Sequence, residues 1–402
     1  MRVLFIHPNF PAQFRHLARW FGAKKEGQVL FATANPRPGW EIPGVKKAIY
    51  TTNLAGLDEK SLLFPLKRAA AHAEAVFQLC VDLKKKGFYP DILYGHTGWG
   101  GTWLVREVFP KARFVGFFEW FYHPESPDAS FDRTGPPTEH HRADLRLRNT
   151  VMLNDLISGH AAITPTRWQQ QQFPPGFRKR LHVLHDGIDT DFFRPDPESK
   201  PDIPGVPLFG GEKIVTYATR GMEPYRGFPQ FIEALPQILR EVPDSHAIIA
   251  GADRVCYGAK RKDGRSWKEV MLDRVPLPRH RVHFVGTLPY DRYRALLRAS
   301  SVHVYLTRPF VLSWSCLEAM ACGCVVVGSD TEPVREVIKD GENGFLADFH
   351  SHRDIAQKVV AALHYGDMMD GIRKRARETV QNRFDLSKLL PRQLAVLTGG
   401  AI

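Results

Sequence analysis

A chain of 402 residues is too long for one ordinary core and calls for two domains. Its 43% apolar and 24% charged residues fit a soluble globular enzyme, and no apolar run approaches the length of a membrane span. The net charge of +12 favours polyanions: phosphorylated substrates, phospholipid headgroups or nucleic acid. No RNP, zinc-finger or helix-turn-helix signature is present, so no nucleic-acid partner is expected.

Met1 leads directly into a strand over 3–7, without the charged segment and cleavage site of a signal peptide. A helix is predicted over 14–21, a strand over 28–33, and a long helix over 62–86 that ends at Gly87. Strands follow over 91–94 and 113–118, with a helix over 102–109 between them. This alternation predicts a doubly wound sheet. Residues 195–207 hold five prolines and little apolar content, and read as an interdomain linker. A second alternation begins with a strand over 213–218 and continues with strands over 282–285 and 302–305, a helix over 290–299, and a strand over 325–327. These are apolar runs without polar alternation, as in a parallel sheet covered on both faces. A last helix is predicted over 385–397. Five irregularly spaced cysteines indicate a reducing compartment, and Cys322-x-Cys324 reads as core packing rather than a metal site.

Ligands of open α/β sheets collect beyond the carboxyl ends of the strands, where a helix N-terminus offers free N–H groups to a phosphate. Glu318 lies one turn into such a helix, placed to accept two ribose hydroxyls. Arg220 and Arg226 stand six apart beside Gly221 and Gly227, on a loop after a strand that opens a helix. Asp189-Thr190-Asp191 has the form of a metal-binding pair but reads as a domain crossing. Gly95-His96-Thr97-Gly98-Trp99-Gly100-Gly101 lacks a dinucleotide-binding order and reads as a loop after a strand. The basic segments 140–148, 178–180 and 261–265 suit an anionic membrane surface.

Four motifs in order carry a family resemblance. Val282-His283-Phe284-Val285-Gly286, the run from Leu317 through Gly323 to Val327, and Glu336-Val337-Ile338-Lys339-Asp340-Gly341-Glu342-Asn343-Gly344 form the last. Before it come Ile163–Trp168, Leu184–Pro195 and Thr219–Gly227. The whole resembles the retaining glycosyltransferases of GT-B fold, family 4. The resemblance implies two Rossmann-like parallel-sheet domains facing across a cleft, with a C-terminal helix crossing back to the first. It divides the chain into 1–195, a linker over 196–207, a nucleotide-sugar-binding domain over 208–380, and a returning helix in 381–402.

The implied activity is metal-independent transfer of a sugar from a UDP- or GDP-type donor to an acceptor hydroxyl, without a further cofactor. The acceptor class is a glycan, a glycolipid or another hydroxyl compound. The implied location is cytoplasmic or peripheral on the inner membrane face. Donor-binding positions are Arg220, Arg226, Thr287, Phe310, Val311, Leu312, Ser313 and Glu318, with the backbone of 311–313 facing sugar and phosphate. Near the catalytic centre stand Glu119 or His123, and Asn9, Phe10 and Gln13 fall on the acceptor side. At position 310 the family glutamate that would hold sugar hydroxyls is replaced by phenylalanine. That departure keeps open a catalytically silent nucleotide-sugar-binding partner; a GT-B epimerase is the other alternative.

Overall fold

The computed structural model describes all residues except 25, 134, 197–202, 204, 207–210, 401 and 402. The chain forms two compact units, Met1–Gly187 with Ser387–Ile402, and Ile188–Leu386.

The first unit is built on a parallel seven-stranded sheet: β1 (Arg2–Ile6), β2 (Gln28–Thr33), β3 (Val45–Ile49), β4 (Ile92–His96), β5 (Arg113–Phe117), β6 (Ala161–Thr164) and β7 (Leu181–Val183). Their order is β3-β2-β1-β4-β5-β6-β7, so the winding reverses between β1 and β4. Helices α1 (Arg15–Gly22), α2 (Phe64–Lys85) and α3 (Glu139–Ser158) belong to this unit. Alternate residues of the central strands enter separate cores: Val3 and Phe5 join Phe14, Phe31 and Phe117, whereas Leu4 and Ile6 join Val76, Leu93 and Val105. Burying a side chain of this size contributes about 1.5–3 kcal/mol.

The second unit has a parallel six-stranded sheet: β8 (Lys213–Gly221), β9 (Ser245–Ala252), β10 (Val282–Gly286), β11 (Val302–Tyr305), β12 (Val325–Ser329) and β13 (Phe345–Ala347). Its order is β10-β9-β8-β11-β12-β13, with the reversal between β8 and β11. Helices α4 (Phe228–Glu241), α5 (Trp267–Arg274), α6 (Tyr290–Ala299), α7 (Trp314–Ala321), α8 (His352–His364) and α9 (Asp370–Arg383) accompany it. A final helix, α10 (Leu386–Thr398), contributes Leu389, Val396 and Leu397 to the core of the first unit. There Arg113 donates to the Val396 carbonyl at 3.1 and 3.3 Å.

Several expectations need correction. The predicted helix over 102–109 is helical only at Val105–Val108, because residues 97–104 form a glycine-shaped turn. Gly100 has φ +94°, and a Cβ there would meet the Ala69 carbonyl oxygen of α2 at 1.9 Å. Strand β3 escaped prediction because it is an edge strand carrying Lys46 and Lys47, whose side chains remain partly accessible. The first boundary lies at Gly187/Ile188 rather than at 195, since Ile188 exchanges backbone hydrogen bonds with Phe384 and Leu386 of the second unit. Most of the predicted linker lies outside the described residues. The Asp189 carboxylate caps the Phe192 amide of its own turn at 2.9 Å, and Thr190 donates to Asp385, far along the chain, at 2.7 Å. Among the described residues no group of three or more His, Cys, Asp or Glu could hold a metal ion, and no helix is long and apolar enough to cross a membrane.

Candidate active site

In the second unit the candidate residues gather where the sheet order reverses. Arg220 lies in the last two residues of β8 and is exposed; Arg226 ends a short turn (Pro224–Arg226) before α4 and is buried. Gly227 makes this turn possible. Its φ is +68°, and an added Cβ would stand 2.5 Å from the Leu306 Cβ beyond β11. One Arg226 nitrogen donates to Thr307 Oγ1 at 2.6 Å, and lies 3.3 Å from both Tyr305 Oη and the Val311 carbonyl. The guanidinium carbon stands 4.8 Å from the Tyr257 ring centroid. Burial opposes the charge on Arg226, but the surrounding phenols of Tyr305, Tyr257 and Tyr225 outweigh it and hold the group protonated. The same buried environment pushes the Tyr305 hydroxyl up to about 12. Arg220, Arg226, Tyr257, Ser313 and Ser315 line one pocket.

Glu318 sits in α7 and is buried. Its Oε1 accepts a hydrogen bond from the Tyr290 hydroxyl at the start of α6. Thr287 is exposed just after β10, whereas Val311 and Leu312 are buried. The Ser313 amide, expected to face a ligand, donates instead to Tyr305 Oη at 2.8 Å, and the Val311 carbonyl is engaged by Arg226. The loop is therefore organised by a buried tyrosine and an arginine, which the sequence pattern did not reveal. Phe310 packs edge-on against Tyr225, with centroids 5.7 Å apart.

In the first unit a polar cluster occupies the corresponding end of the sheet. His96, at the end of β4, places Nε2 3.4 Å from Glu119 Oε2. Its Nδ1 is 2.9 Å from the Thr97 carbonyl, an acceptor only, so Nδ1 carries the proton. Gln13 donates to Glu119 Oε1 at 2.9 Å, and Gln169 donates to the Glu119 carbonyl at 2.7 Å. The His7 ring stands edge-on to His96 at 5.0 Å and accepts from the Asn9 amide at 2.8 Å. Beside this cluster Asp186 is pushed up by burial, with His185 opposing, and burial with Arg15 lowers His16 to about 3. Glu119 and Gln13 thus come together with His96, which had been read as part of a loop.

His123 stands apart, its Nε2 against the Gln172 carbonyl and its ring 5.1 Å from Phe121. Phe10 is also displaced from its expected role. Its ring is buried, 4.9 Å from that of Phe31, so it serves the core rather than an acceptor surface. Asn9 is linked through its Oδ1 to Asn35 at 2.9 Å. A short polar loop bounded by aromatics gave no sequence sign of which ring would turn inward.

The model described as "Glycosyl transferase family 4 group" matches residues 25–193, and "Glycosyl transferases group 1" matches residues 199–379. The chain belongs to the group 1, family 4 glycosyltransferases. The phosphatidyl-myo-inositol mannosyltransferase of Mycobacterium tuberculosis is 27% identical over 200 residues, covering 48% of this chain and 46% of that protein. The D-inositol 3-phosphate glycosyltransferase of Corynebacterium jeikeium is 22% identical over 350 residues, covering 83% and 75%. An uncharacterized glycosyltransferase of Methanocaldococcus jannaschii is 26% identical over 108 residues, covering 27% and 28%. The chain spans between a quarter and a half of the length of the first curated relatives it matches.

The fold of this family member is that of a sucrose-phosphate synthase from Thermosynechococcus elongatus, with a TM-score of 0.73, 18% identity, and 98% and 99% of the two chains covered. It is also that of Anabaena HepE in complex with UDP and glucose, with a TM-score of 0.72, 18% identity, and 99% and 100% covered. The GT-B class expected from the sequence is therefore established by two parallel-sheet units and these neighbours.

Proposed function

We propose that the protein transfers a sugar, with retention of configuration and without a metal, from a nucleoside diphosphate donor to an acceptor hydroxyl. The observation that carries this reading is the placement of Arg226. Its buried guanidinium is fixed by neutral oxygens of Thr307, Tyr305 and Val311 beside the exposed Arg220. Among the described residues these hydrogen bonds go to uncharged oxygens, so the charge of Arg226 remains available to an anion. A leaving diphosphate develops negative charge, which the fixed Arg226 together with the exposed Arg220 would stabilise. Glu318 lies one turn into α7, and we assign its carboxylate to the ribose hydroxyls. In the first unit, Glu119, held by Gln13 and facing His96, is the group we assign to accept a hydrogen bond from the acceptor hydroxyl.

The relatives named for phosphatidylinositol and inositol phosphate acceptors support a glycolipid or glycan acceptor made at an anionic membrane face. The basic segments are less available than their composition implies. Arg148 pairs with Asp144 at 2.8 Å, Arg142 with Glu139 at 3.0 Å, and Arg261 with Asp263. Exposed basic charge that remains on α3, as at Arg146, supports a peripheral contact.

Calorimetric titration with UDP and GDP tests the reading directly. The protein should bind one diphosphate without added metal, and Arg220→Ala should weaken that binding by at least about tenfold at an unchanged melting temperature. Equal affinity in the variant, or binding that appears only with magnesium or manganese, would overturn it.

A further inference from the structure

Glu223 is a buried carboxylate engaged by three backbone amides, and the arginine reading leaves it without a role. It lies between Arg220 and Arg226 and is 0% exposed. Its Oε1 accepts from the Cys256 and Tyr257 amides at 2.8 and 3.0 Å, and its Oε2 from the Gly258 amide at 2.7 Å. A buried carboxylate saturated by backbone donors is a rigid tether. What it tethers is the loop after β9, and the consequence is the position of one ring. Tyr257 stacks on Tyr225 with centroids 5.5 Å apart and an interplanar angle of 30°, under the Arg226 guanidinium. It is nonetheless 39% exposed, in the pocket shared with Arg220. Phe310 meets the other ring of the pair, Tyr225, edge-on.

Three rings thus stand where hydroxyl-accepting carboxylates are scarce. Glu223 is consumed by amides, Glu318 receives Tyr290, and position 310 is a phenyl group. Aromatic faces attract C–H groups and methyls and cannot accept several sugar hydroxyls. We infer that Glu223 is a positioning residue that holds Tyr257, with Tyr225 and Phe310, as an aromatic wall selecting donors whose sugar carries a methyl group, as in an acetamido or 6-deoxy sugar. This rests on the donor reading given above and adds its substrate class.

The test uses matched donors that differ in that feature: UDP-N-acetylglucosamine against UDP-glucose, and GDP-rhamnose against GDP-mannose, with free UDP and GDP as controls. Dissociation constants are measured for the full chain, for Tyr257→Ala and Tyr257→Phe, and for Glu223→Gln. For the natural chain, the methyl-bearing member of the pair with the bound nucleotide should bind about tenfold or more tightly, the discrimination an apolar pocket gives one small group. Tyr257→Ala should bring the ratio close to one, whatever its effect on the free diphosphate constant; Tyr257→Phe should preserve it. Glu223→Gln, which sets amide hydrogens against backbone N–H groups, should lower the ratio like Tyr257→Ala. Should this variant fail to fold, the two exposed-ring variants decide alone. Equal binding of the pair by the natural chain, or a ratio unmoved in Tyr257→Ala, overturns the aromatic wall. Failure of the natural chain to bind either free diphosphate overturns the donor reading instead.

Discussion

The two units share a parallel doubly wound sheet and a reversal of strand order beside the first strand of each, yet they place opposite chemistry there. Beyond β8 and β11 the second unit fixes a permanent cation with neutral hydroxyls and a carbonyl, and surrounds it with rings. Beyond β1, β4 and β5 the first unit gathers titratable groups: His96 lies 3.4 Å from Glu119, and His7 stands edge-on to His96. The difference teaches that topology fixes where a site forms, whereas the side chains at the strand ends decide whether it offers permanent charge or exchangeable protons. A guanidinium retains its charge over all accessible pH, while an imidazole–carboxylate pair does not.

The largest effect should separate two phenylalanines in loops that the sequence placed on equal footing. Phe10→Ala removes a ring 3% exposed and should destabilise the first unit by about 3–5 kcal/mol in denaturant unfolding. Phe310→Ala, at a half-buried ring of the second unit, should shift the melting temperature by only a few degrees. Similar stability losses would erase the distinction between a core ring and a site ring.

Arg226→Ala comes next. It removes a fixed cation and leaves buried hydroxyls without their donor, so nucleoside diphosphate binding should weaken by about 1.5–3 kcal/mol, with loss of thermal stability. Arg226→Lys should recover part of the binding, because a point charge replaces a fork. Calorimetry in low salt checks both; undiminished affinity in Arg226→Ala would remove the cation from the site. Glu318→Ala should cost about 1.5 kcal/mol for a nucleotide and leave inorganic diphosphate binding unchanged, since only the ribose contact is lost. A parallel loss for both ligands would place Glu318 at the phosphates.

The smallest effect is a pH dependence confined to the first unit. Burial raises the Asp155 carboxyl from its ordinary 3.8 to about 7, against the lowering influence of Thr102. The native state therefore holds a proton that the unfolded chain releases. That contribution is fully present below the unfolded value near 3.8 and is lost as pH rises through about 7. Between pH 6 and 7 the natural chain should lose about 1 kcal/mol relative to Asp155→Asn, whose amide does not titrate. Parallel stability curves for the two proteins across this range would refute it.

Much of this molecule was legible in its sequence because the signals are local. Apolar runs such as Val325–Val327 name buried parallel strands, and the spacing of Arg220, Gly221, Arg226 and Gly227 marks a turn that opens a helix. Glu318 could be placed because its position in a helix follows from a few neighbours in the chain. The edge strand β3 was not legible, since its two lysines break the apolar run. Nor was α3, whose acidic, basic and apolar residues follow no clear single-face period.

By itself the sequence determined the two doubly wound units, many of their strands and helices, and the family. It also determined the cationic pair of the second unit, all from patterns spanning at most a few dozen residues. Tertiary structure alone decided which polar groups meet. Gln13 reaches Glu119 across 106 positions, Arg226 finds Thr307 and Val311 across 81 and 85, and the amides of 256–258 close on Glu223 from more than 30 positions away. The physical reason is that a hydrogen bond to a buried carboxylate or guanidinium depends on donor geometry and exclusion of water. Both arise only when strands distant in sequence are laid side by side.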